Sequence, residues 1–214
     1  MRIAIIGASK EAVLLAKKLH ELGHEIIALD DKRERIDEVR SQLDIATFVG
    51  DLRTVSVYDE SRIHRADIII AAHEDESMNI IACVYAKYKG VPKIIAVTNT
   101  AETANLLVSL KLTNQVIIRE EILARAIMDA LLNIKSLEVA PGVNIAVVSV
   151  DDHRGLMNQR VSDLEKGNIR VLAVVDESNH VIAPVPPNHV LKQGQKVIVL
   201  GRLRDLSKAL GAGL

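Results

Sequence analysis

The amino-acid sequence predicts an α/β protein, in which a doubly wound parallel sheet is followed by a small β-rich domain of the α+β class. Over residues 1–133, short apolar runs alternate with segments of helical periodicity, the pattern of strands joined by helical crossovers. The first apolar run ends at a glycine immediately before a helical segment. Beyond residue 142, short strands and turn residues replace the long helical segments.

The N-terminal strands are uninterrupted apolar runs, which are typical of parallel strands buried on both faces. Helical segments lie between them, and crossovers of this kind place helices on both faces of the sheet. Gly23 ends the first helix, and Gly90 with Pro92 ends the fourth. The predicted strands are 2–6, 25–29, 45–49, 67–72, 93–98 and 115–118, and the predicted helices are 10–22, 32–42, 54–60, 75–89, 101–111 and 119–133.

A linker is predicted over residues 134–142, because this stretch ends in Pro141-Gly142 and the pattern changes after it. The prolines between 184 and 187 exclude a central strand there. Turns are expected at Gly155, Lys166-Gly167-Asn168, Glu177-Ser178-Asn179 and Gln193-Gly194. The predicted strands of this part are 143–151, 169–175, 180–183 and 196–200, with a final helix over 203–210.

Gly7 forms the turn between the first strand and the first helix. The backbone N–H groups of a helix that starts there form an anion site, which dinucleotide pyrophosphates use. Against the pattern G-x-G-x-x-G/A, Gly7 takes the first place and Ala12 the third, but Ser9 stands at the second. The Cβ of Ser9 limits the approach of a phosphate, whereas its hydroxyl offers a hydrogen bond. The turn alone therefore leaves nucleotide binding open.

Asp30 ends the second apolar run, about 20 residues after the glycine turn, where a carboxylate binds ribose hydroxyls in dinucleotide-binding folds. Asp30 and Asp31 also suit the role of helix caps, and the two roles are compatible. Together with Gly7, Asp30 predicts a Rossmann-like nucleotide site. The two adjacent carboxylates predict that NAD(H) binds better than NADP(H), since a 2′-phosphate would meet both.

Two further loops follow strands at the ligand-bearing edge of such a sheet. Asp51 is placed to accept from an adenine amino group, or alternatively Asp51 or Thr54 caps the short helix that follows. His73 lies in the acidic loop 71–77, which suits either a divalent cation or a helix N-terminus that favours acids. We predict no metal site. Cys83, in an apolar segment, is predicted to be a buried structural thiol.

The composition excludes several classes of protein. A net charge of −1 and an aromatic content of 2% argue against nucleic-acid binding. The single cysteine excludes an internal disulfide framework and favours a reducing compartment. Met1 leads directly into a strand, so we expect no signal peptide, and no apolar run is long enough to cross a bilayer. A soluble, cytoplasmic protein is expected.

Several short sequence blocks resemble one known family, and the resemblance extends over nearly the whole chain. They are Ile-Ile-Gly-Ala-x-Lys, Leu-Asp-Asp, Phe-Val-Gly-Asp, Ala-Asp-Ile-Ile-Ile-Ala-Ala, Glu-Ser-Met-Asn-Ile-Ile-Ala-Cys, Val-Pro-Lys-Ile-Ile-Ala and Ile-Arg-Glu-Glu. In this order and spacing, they resemble the TrkA-type regulatory subunits of potassium transporters, also called RCK (regulator of potassium conductance) domains.

This resemblance implies a domain organisation and a set of partners. Residues 1–133 are expected to bind NAD(H) or an adenine nucleotide (ATP, ADP or AMP), and residues 143–214 to form the C-terminal TrkA-C module. That module dimerises in relatives and sometimes binds a second effector, for which His153, Arg154, His180 and His189 are polar candidates, although solvated turns explain them equally well. The family implies a dimer or larger ring that acts on a membrane potassium transporter or channel at the inner face of the cell membrane.

Carried over by position, Gly7 and Ala8 match the phosphate turn of the family. The resemblance further implies that Lys10 approaches phosphates and that Glu120 lies near the nucleotide at a subunit interface. Ser9 and Val97 depart from the family pattern, and the loss of a cation at residue 97 weakens the expected grip on a terminal phosphate. The complete predicted nucleotide set is Gly7, Ala8, Ser9, Lys10, Asp30, Asp31, Asp51, Leu52, His73 and Glu120.

The helix that begins near Glu120 carries an apolar stripe at helical spacing. Packing on its own sheet explains such a stripe, but the family sends this helix onto a partner subunit, and we favour that interpretation. The stripe consists of Ile122, Leu123, Ala126, Ile127, Ala130 and Leu131.

The predicted function is that of a nucleotide-sensing regulatory subunit that gates a potassium transporter or channel and has no enzymatic activity. Two alternatives stay open. An NAD-dependent oxidoreductase is compatible with Gly7 and Asp30, but no clear proton-transfer set accompanies them. An oligomeric scaffold with a degenerate nucleotide site is compatible with the departures at Ser9 and Val97.

Overall fold

A computed structural model describes residues 1–165 and 168–210 of the protein. The chain divides into two compact units, Met1–Ile122 and Leu123–Leu214. The turn predicted at Lys166-Gly167-Asn168 lies mostly outside the described residues. No helix in the described ranges has both the length and the apolar character that a membrane span requires.

The first unit contains a six-stranded, wholly parallel sheet in the order β3-β2-β1-β4-β5-β6. This confirms the predicted doubly wound α/β fold. The strands are β1 (Arg2–Ile6), β2 (Glu25–Asp30), β3 (Ala46–Val49), β4 (Ile68–Ala71), β5 (Lys93–Thr98) and β6 (Gln115–Ile118). The helices are α1 (Lys10–Glu21), α2 (Arg33–Gln42), α3 (Val55–Glu60), α4 (Glu76–Tyr88), α5 (Ala101–Ser109) and α6 (Arg119–Leu132), with a 3₁₀ turn at Ile63–Arg65.

The central strands are buried on both faces, as their apolar sequences predict. Residues 3–6 of β1 are each no more than 2% exposed. Alternate β1 side chains pack in separate clusters on the two faces of the sheet, with Ala12 and Ala16 of α1 covering one face. Full burial of one isoleucine stabilises the fold by about 1.5–3 kcal/mol. Packing on both faces therefore holds the strands in place, and with them the positions of their carboxyl ends.

The strand order reverses at β1, which lies between β2 and β4. The chain runs outward from β1 to β3 and then returns to β4 on the other side. The crevice outside the carboxyl ends of the strands at such a switch point is where ligands bind in this architecture. Gly7, Asp30 and His73 all lie at or just beyond these ends.

The second unit contains a five-stranded sheet in the order β10-β9-β11-β8-β7, with antiparallel pairing throughout. One face of this sheet packs on a core that includes Val148, Val197 and Leu206. Its strands are β7 (Ile134–Ala140), β8 (Val143–Ser149), β9 (Arg170–Val175), β10 (Val181–Ile182) and β11 (Lys196–Gly201), and its helices are α7 (Val161–Leu164) and α8 (Leu203–Ala209), with a 3₁₀ turn at Arg154–Leu156.

The linker predicted over residues 134–142 is wrong. Ile134–Ala140 form strand β7, which pairs antiparallel with β8 from Ile134 opposite Val148 to Ala140 opposite Val143. Pro141-Gly142 is the turn of this hairpin, and Gly142 has the positive φ, of +72°, that a type II turn requires after its proline. The division between the two units lies inside α6, earlier in the chain than the boundary predicted at residue 133.

Candidate functional site

Gly7 packs directly against the backbone at the end of β4. Its φ of +101° is strained for any residue with a side chain, and a Cβ built there would lie 2.6 Å from both the N and the Cα atom of His73. The Gly7 N–H donates to the carbonyl of Leu29 at 2.7 Å. Glycine is thus required here because two neighbouring strand ends approach the turn closely.

Asp30 is fully buried and accepts two backbone hydrogen bonds. Its Oδ2 accepts from the N–H of Ala8 at 2.6 Å, and its Oδ1 accepts from the N–H of Lys32 at 2.8 Å. These two hydrogen bonds fix the positions of the glycine turn and of the start of α2. Each oxygen can accept a second hydrogen bond, which is the capacity that binding two ribose hydroxyls requires.

Ser9 caps helix α1, because its Oγ accepts from the N–H of Ala12 at 3.3 Å. The N–H groups of Ser9 and Lys10 have no partner among the described residues. The carboxyl of Glu11 accepts hydrogen bonds from the N–H of Glu11 and from the side chain of Ser9, which hold its pKa below the usual value. The turn thus already stabilises a carboxylate, as an anion site at a helix N-terminus should. Lys10 is exposed at the first position of the helix.

Asp31 and His73 form a hydrogen-bonded pair beside Asp30. His73 is 6% exposed, and its Nε2 lies 3.3 Å from the Oδ1 of Asp31. The Nδ1 of His73 accepts from the N–H of Asp75 at 3.1 Å, so in neutral histidine the proton is on Nε2 and is donated to Asp31. Burial raises the pKa of Asp31, but contacts with His73, Asp30 and Lys32 together lower that pKa overall.

The same three side chains have the spacing of a metal site, since the ligating atoms of Asp30, Asp31 and His73 lie within 4.8 Å of one another. A metal-bound histidine donates its second N–H to an acceptor. Here the second nitrogen faces the N–H of Asp75, which is a donor. Coordination by Nε2 would break that contact, so the hydrogen bonding of His73 disfavours a metal ion at these three residues.

Sequence reasoning missed Asn79, which joins the ends of two strands. Its side chain is buried, and its Oδ1 accepts from the N–H of His73 at 2.8 Å. Its Nδ2 donates to the carbonyls of His73 and Val97, at 2.8 and 3.0 Å. The available signal was a lone amide in the apolar segment Ser-Met-Asn-Ile-Ile-Ala-Cys. Cys83 in the same helix is fully buried, and burial raises the pKa of its thiol to about 12.

Asp51 and Leu52, two residues of the predicted nucleotide set, lie in different environments. Asp51 is exposed, and its Oδ1 accepts from the N–H of Arg53 at 3.0 Å, so neither Asp51 nor Thr54 caps α3 with its side chain. Leu52 is fully buried in the core, and its carbonyl accepts from the Tyr58 hydroxyl. The apolar side chain of Leu52 therefore packs in the core, and its assignment to the nucleotide set stays a prediction.

Glu120 is exposed in the first turn of α6, directly after β6. Strands β4 and β5 separate β6 from β1, so within one chain Glu120 is not brought together with Gly7 and Asp30. The candidates of the second unit are also dispersed. The Nε2 of His153 lies 3.4 Å from the carbonyl of Asn133, whereas the Nε2 of His189 is buried without a hydrogen-bond partner among the described residues. His180 is exposed beside Asp176, and the side chain of Arg154 lies outside the described residues.

Comparison with known proteins finds a family match in the first unit. Residues 3–119 match the model of the TrkA-N domain family. The chain is 25% identical over 223 residues to the Trk system potassium uptake protein TrkA homolog of Pyrococcus abyssi, and the alignment covers 98% of this chain and 97% of the relative.

Solved structures share the fold at lower identity. The crystal structure of the GsuK RCK domain has a TM-score of 0.63 at 19% identity, covering 96% of this chain and 46% of that one. The GsuK channel bound to NAD has a TM-score of 0.55 at 17% identity, covering 99% of this chain and 38% of that one. With the glycine turn, the buried acid that follows it and a family match over more than half of its length, the chain belongs to the TrkA-N domain family.

Proposed function

We propose that the protein is a nucleotide-binding regulatory subunit of a potassium-uptake system. The observation that carries the proposal is the buried Asp30 carboxylate, held by the N–H of Ala8 at the switch point of the sheet. The Pyrococcus relative named for potassium uptake, which aligns over almost its whole length, supports the assignment to potassium transport. The proposed membrane partner is a potassium transporter or channel, which the protein contacts at the cytoplasmic face of the membrane.

The proposed ligand is NAD(H) or an adenine nucleotide. The NAD-bound GsuK channel, which shares this fold, supports that choice. Isothermal calorimetry with NAD⁺, NADH, ATP, ADP and AMP is the direct test. We expect at least one of them to bind, and to raise the melting temperature, because a ligand that binds only the folded state stabilises it. Absence of binding by all five would leave the scaffold alternative in place.

The regulator needs no reaction of its own. A ligand changes the balance between two assembly conformations if it binds one of them more tightly, and this difference acts on the partner. We therefore expect no oxidation of NADH by the protein with carbonyl substrates, followed by absorbance. Measurable turnover would favour the oxidoreductase alternative.

Exposure of the α6 stripe supports self-association through this helix. Ile122, Leu123, Ile127 and Leu131 are 53–61% exposed in the single chain. Apolar side chains grouped on one exposed helix mark an interaction surface. The proposed homo-oligomer would bury this stripe against a second copy.

We expect Ile127→Asp to yield a folded monomer where the natural protein is a dimer or larger. The substitution places a charge on an apolar surface that a partner would cover, and burying an unpaired charge is strongly unfavourable. Light scattering measures the mass, and circular dichroism checks the fold. Leu14→Asp is the matched control, since Leu14 is 56% exposed on α1 and should leave the mass unchanged. A natural protein that is already monomeric at micromolar concentration contradicts the proposal.

Glu120 is proposed to couple the nucleotide to the assembly. Hydrogen bonds and the chain of β5 together connect the proposed ribose subsite with helix α6. The Asn79 amide joins His73 to Val97, and two residues after Val97 the Oδ1 of Asn99 accepts from the Nη1 of Arg119 at 3.1 Å. Glu120 follows Arg119 at the start of the helix that carries the apolar stripe. Because Glu120 lies apart from Gly7 and Asp30 within one chain, the proposed contact is between Glu120 of one copy and the nucleotide of another. A divalent cation between Glu120 and the nucleotide phosphates would offset the repulsion between their charges.

We expect Glu120→Gln to keep the fold and the oligomer but to abolish the nucleotide-dependent change in small-angle scattering. It should also remove any effect of magnesium or calcium on nucleotide affinity. Glu121→Gln, in the same exposed turn, should leave both responses intact. If Glu120→Gln only lowers stability by the roughly 0.3–1 kcal/mol of a helix N-terminal acid, Glu120 has no coupling role.

A further inference from the structure

Arg35 of α2 lies beside Asp30, the proposed ribose acid, but is too far from it for a hydrogen bond. Its Nη2 donates to the Oε2 of Glu74 at 2.5 Å, whereas its Nη1 lies 3.7 Å from the Oδ2 of Asp30. That Nη1 atom is buried and has no hydrogen-bond partner among the described residues. A buried N–H donor without an acceptor is uncommon and calls for an explanation.

The ion pair connects two loops that border the same crevice. Asp30 is the last residue of β2, and Arg35 lies in the first turn of α2, which follows it. Glu74 follows His73 beyond the end of β4. The pair therefore passes close to the Asp30 carboxylate, where the ribose is proposed to bind. The hydrogen bond with Glu74 raises the pKa of Arg35 and lowers that of Glu74, so both groups are charged at neutral pH.

The charges around this subsite act in opposite directions on a ribose 2′-phosphate. Asp30 and Asp31 repel it, whereas a guanidinium binds phosphate oxygens through paired N–H donors. An arginine near the ribose acid accommodates the 2′-phosphate of NADP in folds of this architecture. Glu74, however, accepts a hydrogen bond from one end of the Arg35 guanidinium.

We propose that Arg35 is the specificity-determining residue for the ribose 2′ position, and that Glu74 competes with the ligand for it. The inference rests on the proposed nucleotide binding. In the natural protein the Glu74 carboxylate restrains Arg35, and the site prefers an unphosphorylated ribose. The degree of discrimination between NAD(H) and NADP(H) is then set by this ion pair, rather than by Asp30 and Asp31 alone.

The test compares the dissociation constants of NAD⁺ and NADP⁺ by isothermal calorimetry, with the full-length chain. Arg35→Leu should raise the ratio Kd(NADP⁺)/Kd(NAD⁺) by about tenfold or more, because the positive charge that offsets the Asp30 and Asp31 carboxylates is lost. Glu74→Gln keeps the shape but frees the guanidinium, and should lower the ratio. Arg35→Lys, which keeps the charge, should fall between Arg35→Leu and the natural protein.

Arg33→Leu is the matched control, because Arg33 is exposed on the same helix and should leave the ratio unchanged. A ratio that is the same in Arg35→Leu and in the natural protein, with NAD⁺ still bound, overturns the role of Arg35. If the natural protein binds NADP⁺ too weakly to measure, gain of NADP⁺ binding by Glu74→Gln supports the proposal and its absence refutes it. Failure of the natural protein to bind either dinucleotide would instead remove the proposed ligand itself.

Discussion

Replacing Asp30 by alanine should lower the free energy of unfolding by about 3–6 kcal/mol and remove nucleotide binding. The carboxylate accepts from the N–H groups of Ala8 and Lys32 in a fully buried position. Each hydrogen bond to a charged group contributes about 1.5–3 kcal/mol, and both donors would lose their partner. Chemical denaturation measures the stability, and calorimetry measures nucleotide binding.

Because small domains have only about 5–15 kcal/mol of stability, Asp30→Ala can unfold the first unit. Asp30→Asn is the variant that separates folding from binding. It keeps one acceptor oxygen but replaces the other with an NH₂ group, which cannot accept from a backbone N–H or a ribose hydroxyl. We expect a folded protein with nucleotide affinity reduced by about tenfold or more. Unchanged affinity in a folded Asp30→Asn protein would contradict the ribose assignment.

Replacing Gly7 by alanine should destabilise the protein by about 2–6 kcal/mol, the combined cost of a strained backbone and of overpacking. The added Cβ would lie 2.6 Å from two backbone atoms of His73, and backbone atoms cannot move aside as a flexible side chain can. Thermal and denaturant unfolding measure the loss. In any folded fraction, the displaced turn should also bind nucleotide more weakly.

Gly90→Ala is the control for Gly7→Ala. Gly90 also has a positive φ, of +74°, but a Cβ there meets no atom within 4 Å. It should lose only the roughly 1–2 kcal/mol of a left-handed backbone. The difference between the two variants measures the close approach of the glycine turn to the end of β4. Equal losses would show that this contact adds nothing.

The proposed site is a single hydrogen-bonded unit that spans several strand ends. Gly7 touches the backbone of His73, Asp30 holds the turn, and Asn79 ties His73 to β5. These contacts limit the freedom of the turn before any ligand arrives, which reduces the entropy that binding costs. A nucleotide that changes the spacing of these strand ends would therefore act on a connected structure.

The sequence by itself determined the order and type of the N-terminal elements, together with the two residues that identify the site. Apolar strands and amphipathic helices leave periodic patterns in consecutive residues, so β1 to β6 could be read locally. Gly7 and Asp30 were likewise predictable, because each is fixed by its place at the end of an apolar run.

Only the tertiary structure decided which residues meet in space. Arg35 and Glu74 are 39 positions apart in the chain, and no periodicity relates them. The side chain of Leu52 lies in the core, and residues 134–140 were expected as a linker but form β7. In each case the outcome depends on a distant partner: a strand forms when another strand satisfies its backbone N–H and C=O groups, and a side chain is buried when the chain closes over it.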